Sequence, residues 1–175
     1  MTISIAVPKT TPQLDHVRTL MRAFVAWHRR RHIEDIHLID QYFDHAAFEM
    51  ELRTLPGAYA LPGGQLLLAS SDGVAAGCVA LRKVDATCCE MKRMFVYEEF
   101  HGQGIGRALA IEIVTQARKL GYQRMVLDTS IRQDEAAGLY ASLGFGVIAP
   151  YYELPKAMQD WLIFMELKLD AAKSE

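Results

Sequence analysis

The scarcities in this sequence narrow its options before its motifs are read. Cysteine is rare: Cys78, Cys88 and Cys89 are an odd number with no C-x-x-C spacing, which disfavours a zinc cluster or a dithiol redox motif. Two of the three are neighbours, closer along the chain than a disulfide prefers. All three are expected as free thiols that pack as small apolar residues. That usage suits a reducing compartment, and a cytoplasmic location is expected. Charge is nearly balanced at a formal −2, so no general field pulls the chain toward nucleic acid or an anionic membrane, and neither is expected as a partner. The longest apolar run, residues 74–81, is far shorter than a membrane span. The first residues carry neither the basic start nor the apolar stretch of a secretory leader. Gly and Pro are not in excess and 51% of residues are hydrophobic, which argues against disorder. With 175 residues the expectation is one domain over 1–175 with a substantial core.

Periodicity then supplies the elements. Residues 3–7 alternate as a short strand. Thr11-Pro12 reads as a helix start, followed by one apolar face through Leu14, Val17, Met21, Phe24, Val25 and His28. The basic run His28-Arg29-Arg30-Arg31-His32 closes that helix, where positive charge suits the dipole. A second helix is predicted over residues 35–52, with Ile36, Ile39, Phe43, Ala46, Ala47 and Met50 inward. His37, Asp40 and Asp44 share one face of it, read as solvated rather than metal-binding. Strands are predicted over residues 65–69 and 74–81 about the turn Ser70-Ser71-Asp72-Gly73, and over residues 88–97, 125–129, 145–148 and 162–169. Helices are predicted from Ile105 to a stop at Gly121, and over residues 135–143 before Gly144. The order implies a mixed α/β sheet, antiparallel early, with a βαβ unit in the middle.

The segment Phe100-His101-Gly102-Gln103-Gly104-Ile105-Gly106 concentrates glycine directly before a helix. A helix start has unpaired N–H groups and a partial positive charge, and glycines let a phosphate approach them. A dinucleotide fingerprint is tempting, since Asp128 ends the next strand where a ribose-binding acid belongs. The spacing refuses it: G-x-G-x-x-G begun at Gly102 lands on Arg107, and begun at Gly104 lands on Leu109. A nucleotide-binding oxidoreductase is therefore the weakest of the readings.

Residues 94–109 instead resemble the acetyl-CoA motif of the GNAT N-acetyltransferase superfamily, a hydrophobic strand and short loop followed by Arg/Gln-x-x-Gly-x-Gly/Ala at a helix start. Gly104 and Gly106 match, and His101 stands where Arg or Gln is usual. A second motif, Ala136-Ala137-Gly138-Leu139-Tyr140-Ala141-Ser142-Leu143-Gly144-Phe145, is similar to the family's Leu-Tyr-x-x-x-Gly-Phe pattern, with Gln133 where Asn is common.

The resemblance implies a GNAT fold: a mixed central sheet of six to seven strands with four helices, its fourth and fifth strands splayed. It implies acetyl-CoA as the acyl donor, pantetheine contacts from Met94, Phe95 and Val96, and a pyrophosphate cradle from His101, Gly102, Gln103, Gly104, Ile105, Gly106 and Arg107, with Gln133 nearby. The implied reaction moves acetyl to a primary amine on a small molecule, amino acid or peptide, without a metal. Homodimers are common in the family, and a non-catalytic coenzyme A-binding module is the alternative. Tyr140 resembles the tyrosine that donates to the departing thiolate. Glu90, six residues before Val96, stands where some lysine-acetylating members carry a catalytic glutamate. Plain alternation would put Glu90 on the face of Met94 and Val96. In such folds the first two helices border the acceptor, which brings Glu34, Asp35 and His37 into view, with Tyr151 and Tyr152 as possible walls.

Overall fold

Strands β1 (Ile3–Ala6), β2 (Gln65–Ser71), β3 (Val74–Lys83), β4 (Cys88–Val96), β5 (Arg124–Ser130), β6 (Gly146–Ile148) and β7 (Leu162–Lys168) form one sheet in the order β1-β2-β3-β4-β5-β7-β6. Around it lie α1 (Thr11–Arg31), α2 (Ile36–Tyr42), α3 (His45–Arg53), α4 (Ile105–Lys119), α5 (Asp134–Ser142) and α6 (Lys156–Trp161). The computed structural model describes residues 1–170. All neighbouring strands are antiparallel except β4 and β5, because α4 carries the chain back over the sheet between them.

The mixed sheet stands as predicted, with seven strands. The helix count does not: the described residues hold six α-helices, not four. The helix predicted over residues 35–52 is in fact a 3-10 turn followed by α2 and α3. Asp44 breaks it, because its side chain accepts from the Ala47 N–H at 2.9 Å and starts a new helix. Phe48 and Leu52 then turn inward, while Ala46, Ala47 and Met50 are exposed, contrary to the stripe read from the sequence. α6 was missed because six residues are too few to show a helical period. The start of α1 is capped by Thr10 rather than Thr11, in a reciprocal box with Gln13.

Each face of the sheet carries its own core. On one side α4 buries Ile105, Leu109, Ile113 and Ala117 against Val79, Leu81 and Met125, the stripe its periodicity predicts. On the other, α1 to α3 and α6 cover Leu66, Leu68, Ala80 and Phe95. The three cysteines are free and buried in these layers.

His28 is part of the second core. It is 3% exposed, packs on Phe24 with ring centroids 4.8 Å apart, and its Nδ1 has no hydrogen-bond partner. Burial, with His32 adding, lowers its pKa from 6.5 to about 4. An unfolded chain binds that proton at higher pH than the native one does. Stability is therefore full above pH 6.5 and falls as pH drops toward 4, by about 3 kcal/mol from this group. Urea denaturation between pH 7 and 4 should show that fall, and a His28→Gln variant should lose this share of it. Parallel profiles for the two proteins would refute the assignment.

Candidate active site

β4 and β5 pair only from Cys88↔Arg124 to Glu90↔Val126. Beyond Glu90 the two strands part, so the β5-facing edge of residues 91–96 has no strand partner. The splay expected between the fourth and fifth strands is present. A bulge in β4 shapes it: the register against β3 slips between Cys78 and Ala80, and Arg93 takes a left-handed φ of 59°. Its side chain is held there by Glu51, which accepts from Nε at 2.8 Å and from one terminal nitrogen at 2.9 Å, and by the faces of Phe43 and Phe48.

The bulge inverts the alternation past it. Met94 and Val96 pack on the α4 side. Glu90 pairs across to Arg82, and Lys92 to Ala80, a residue of the opposite core. The prediction that Glu90 shares a face with Met94 and Val96 fails for this reason. A strand read by strict period two cannot see an inserted residue.

On the cofactor side of the gap lies a groove of about 400 Å³. Met94, Phe95, Val96, His101, Gly102, Gly104, Ile105, Gly106, Arg107 and Gln133, the residues that the motifs single out, are brought together along its wall. Gly102 and Gly104 have φ of 77° and 80°, and a Cβ at either would meet nothing within 4 Å. The backbone conformation demands glycine here, and it leaves the mouth of α4 open to an anion. Two side chains do not reach outward. His101 Nε2 donates to the Val96 carbonyl at 2.9 Å and pins the loop to the end of β4. Gln103 turns back to the Glu99 carbonyl at 3.4 Å and is not part of the groove wall. Gln133 accepts from the Thr129 hydroxyl at 2.9 Å and the Ser130 N–H at 3.3 Å, fixing the turn into α5.

The motifs did not reveal Phe24, Trp27 and Arg31 of α1, nor Arg132, which also line the groove. Arg31 belongs to the basic run that reads as a solvated helix end. Arg132 is aimed by buried Asp35, which accepts from its Nε at 2.9 Å and from the Trp161 indole at 3.2 Å. Asp35 is thereby committed to partners inside the fold. Asp40 pairs with Arg29.

A small cavity of about 60 Å³ sits within the parted strands, lined by Tyr140, Asp128, Met94, Lys92, Tyr42 and neighbours. It shares Met94 and Gln133 with the cofactor groove. Tyr140 is 6% exposed and its side chain lines this cavity. Burial, with the charge of Asp128 adding, pushes its pKa up, so it is a protonated donor at neutral pH. Asp128 accepts from the Tyr42 hydroxyl and the Tyr152 hydroxyl, each at 2.5 Å. Burial first and Asp128 second raise both phenols.

A third cavity of about 720 Å³ opens on the far side and shares Tyr42, Lys92 and Arg93 with the small one. Tyr151 and Tyr152 wall it, as the sequence suggested, with Glu90 and Arg82. Glu90 is 2% exposed and both its oxygens are engaged, one with Arg82 Nε at 2.7 Å and the other with the Tyr151 hydroxyl.

A parallel strand pair that parts over a glycine-rich helix start is a fold class that holds an extended phosphorylated cofactor between strands, in the manner of strand addition. Comparison with known proteins gives that class its family. Residues 31–145 match the model of the Acetyltransferase (GNAT) family, and the chain belongs to it. An uncharacterized N-acetyltransferase of Schizosaccharomyces pombe is 43% identical over 99 residues, 55% of this chain and 61% of that one. The chain thus spans less than two thirds of that relative. The IAA acetyltransferase of Azospirillum brasilense is 32% identical over 139 residues, covering 77% of this chain and 85% of its own. Among solved structures, the PaiA N-acetyltransferase of Thermoplasma acidophilum in complex with coenzyme A shares the fold, with TM-score 0.68 and 20% identity over 96% of this chain and 99% of that one.

Proposed function

We propose that this chain is an acetyl-CoA-dependent N-acetyltransferase that passes acetyl directly to an amine across the parted strands. One observation carries the reading: the small cavity shares wall residues with the cofactor groove on one side and with the far cavity on the other, and Tyr140 and Asp128 line it. The complex of the Thermoplasma protein with coenzyme A supports that choice of cofactor.

The groove residues fit the donor. Backbone N–H groups at the start of α4, with Arg107 and Arg132 beside them, would hold the pyrophosphate. The free edge of β4 beyond Glu90 would pair with the pantetheine amides and bring the thioester to Met94. When bound, acetyl-CoA supplies an activated acyl carbon. A β4 backbone N–H would stabilise the oxyanion that forms there, and Tyr140 would donate to the departing sulfur.

The amine must lose a proton before it attacks, since an alkyl amine has a pKa of roughly 10.4. Asp128, with Tyr42 and Tyr152 bonded to it at the junction, is the base in this reading. Glu90 instead orients Arg82 and Tyr151 in the acceptor wall.

Thiol release from acetyl-CoA over a panel of amines, amino acids and peptides tests the transferase reading. Release that rises with a particular amine supports it. Heat protection by coenzyme A with no release for any amine would leave a binding module instead.

A further inference from the structure

The far cavity contains more positive charge than it neutralises. Arg93 is satisfied by Glu51 through two hydrogen bonds. Glu90 takes only the Nε of Arg82. Lys92 is different: its ammonium donates to the Tyr42 hydroxyl at 3.1 Å and sits 5.1 Å from that ring centroid, and no carboxylate pairs with it among the described residues. Glu90 and Asp128 are near enough to favour its charge, but each is already engaged by two donors. Burial, with Arg93 adding, lowers the Lys92 pKa. Lys92 is half-buried; a partly desolvated cation without a paired anion is costly, and one that faces a cavity gains from a ligand that brings the anion.

From this we infer that the acceptor is an amine that also carries a carboxylate, with Lys92 and the free end of Arg82 receiving the carboxylate and Asp128 facing the amine. The far cavity thus has an acid at the junction and an excess of cations along its wall, the polarity of an amino acid laid amine-inward. Polyamines and lysine-rich segments would bring further positive charge against Lys92, Arg82 and Lys83, which also line the cavity. Tyr151, Tyr152, Leu154 and Met158 offer the side chain an aromatic and apolar wall.

This inference rests on the transferase reading for its orientation, but its test reads binding alone. Calorimetry on the protein saturated with coenzyme A would compare N-acetyl-L-phenylalanine with N-acetylphenethylamine, which differ by one carboxylate. The acid should bind tighter by at least about tenfold, the range of a charge-assisted hydrogen bond. Lys92→Gln should bring the ratio toward one, and Lys92→Arg should keep most of it. Equal affinities in the wild type, no binding of either compound, or a preference that survives Lys92→Gln would each overturn the proposal. Should Lys92→Gln not fold, the wild-type ratio and Lys92→Arg still decide it. A clear preference without thiol release for any amine would refute the transferase reading while leaving the carboxylate site standing.

Discussion

Replacing Asp128 by Asn is expected to lower kcat/KM by roughly a hundredfold or more at neutral pH, within the range of a lost general base. Asn keeps an oxygen that can accept from one of the two tyrosines, so the wall of the cavity should persist while its proton acceptor is gone. The loss should shrink as pH rises toward the pKa of the free amine, because more of the acceptor then arrives already neutral. Glu90→Gln is the paired control. Its carboxylate is engaged by Arg82 and Tyr151 on the acceptor wall, so this change should act mainly on acceptor KM. Steady-state thiol release from pH 6 to 10 separates the two. A large loss in Glu90→Gln with little in Asp128→Asn would exchange their roles.

Tyr140→Phe is expected to reduce kcat by about ten- to a hundredfold, the cost of one hydrogen bond to a developing charge. Phenylalanine keeps the packing against Phe145, whose ring centroid is 5.8 Å away, so stability and coenzyme A affinity should hardly move. The place of Tyr140 on the wall of the small cavity, with Asp128, makes this assignment specific. A tyrosine kept for packing alone would lose nothing measurable in kcat, and an unchanged kcat with unchanged affinity would remove Tyr140 from the chemistry.

Most of the cofactor side was legible in the sequence because it is local. Gly102 and Gly104 stand next to the helix they open, and Leu139-Tyr140 lies on the helix that follows β5. Their spacing survives folding unchanged. Apart from Tyr151 and Tyr152, the far side was not legible, because it is assembled from α2, β3, β4, β5 and the segment before α6. Tyr42, Lys92 and Asp128 are distant in sequence and share no periodic pattern. Asp128 was noticed only as a ribose-binding acid and set aside with that fold. Glu90 was placed on the wrong face because the bulge at Arg93 breaks the alternation, and a left-handed arginine leaves no trace in sequence. Arg31 looked like a solvated helix end, which is what a basic run at a C-terminus normally is.

The central claim is that the parted strands pass an acetyl group from coenzyme A to an amine. The most direct measurement incubates the protein with acetyl-CoA and an amine panel that includes amino acids, following free thiol and acetylated amine together, the latter by mass spectrometry. The account predicts one acetylated amine formed for each thiol released, with both abolished or greatly slowed in the Asp128→Asn, Tyr140→Phe double variant. Thiol release without acetylated amine, or equal rates in that double variant, would contradict it.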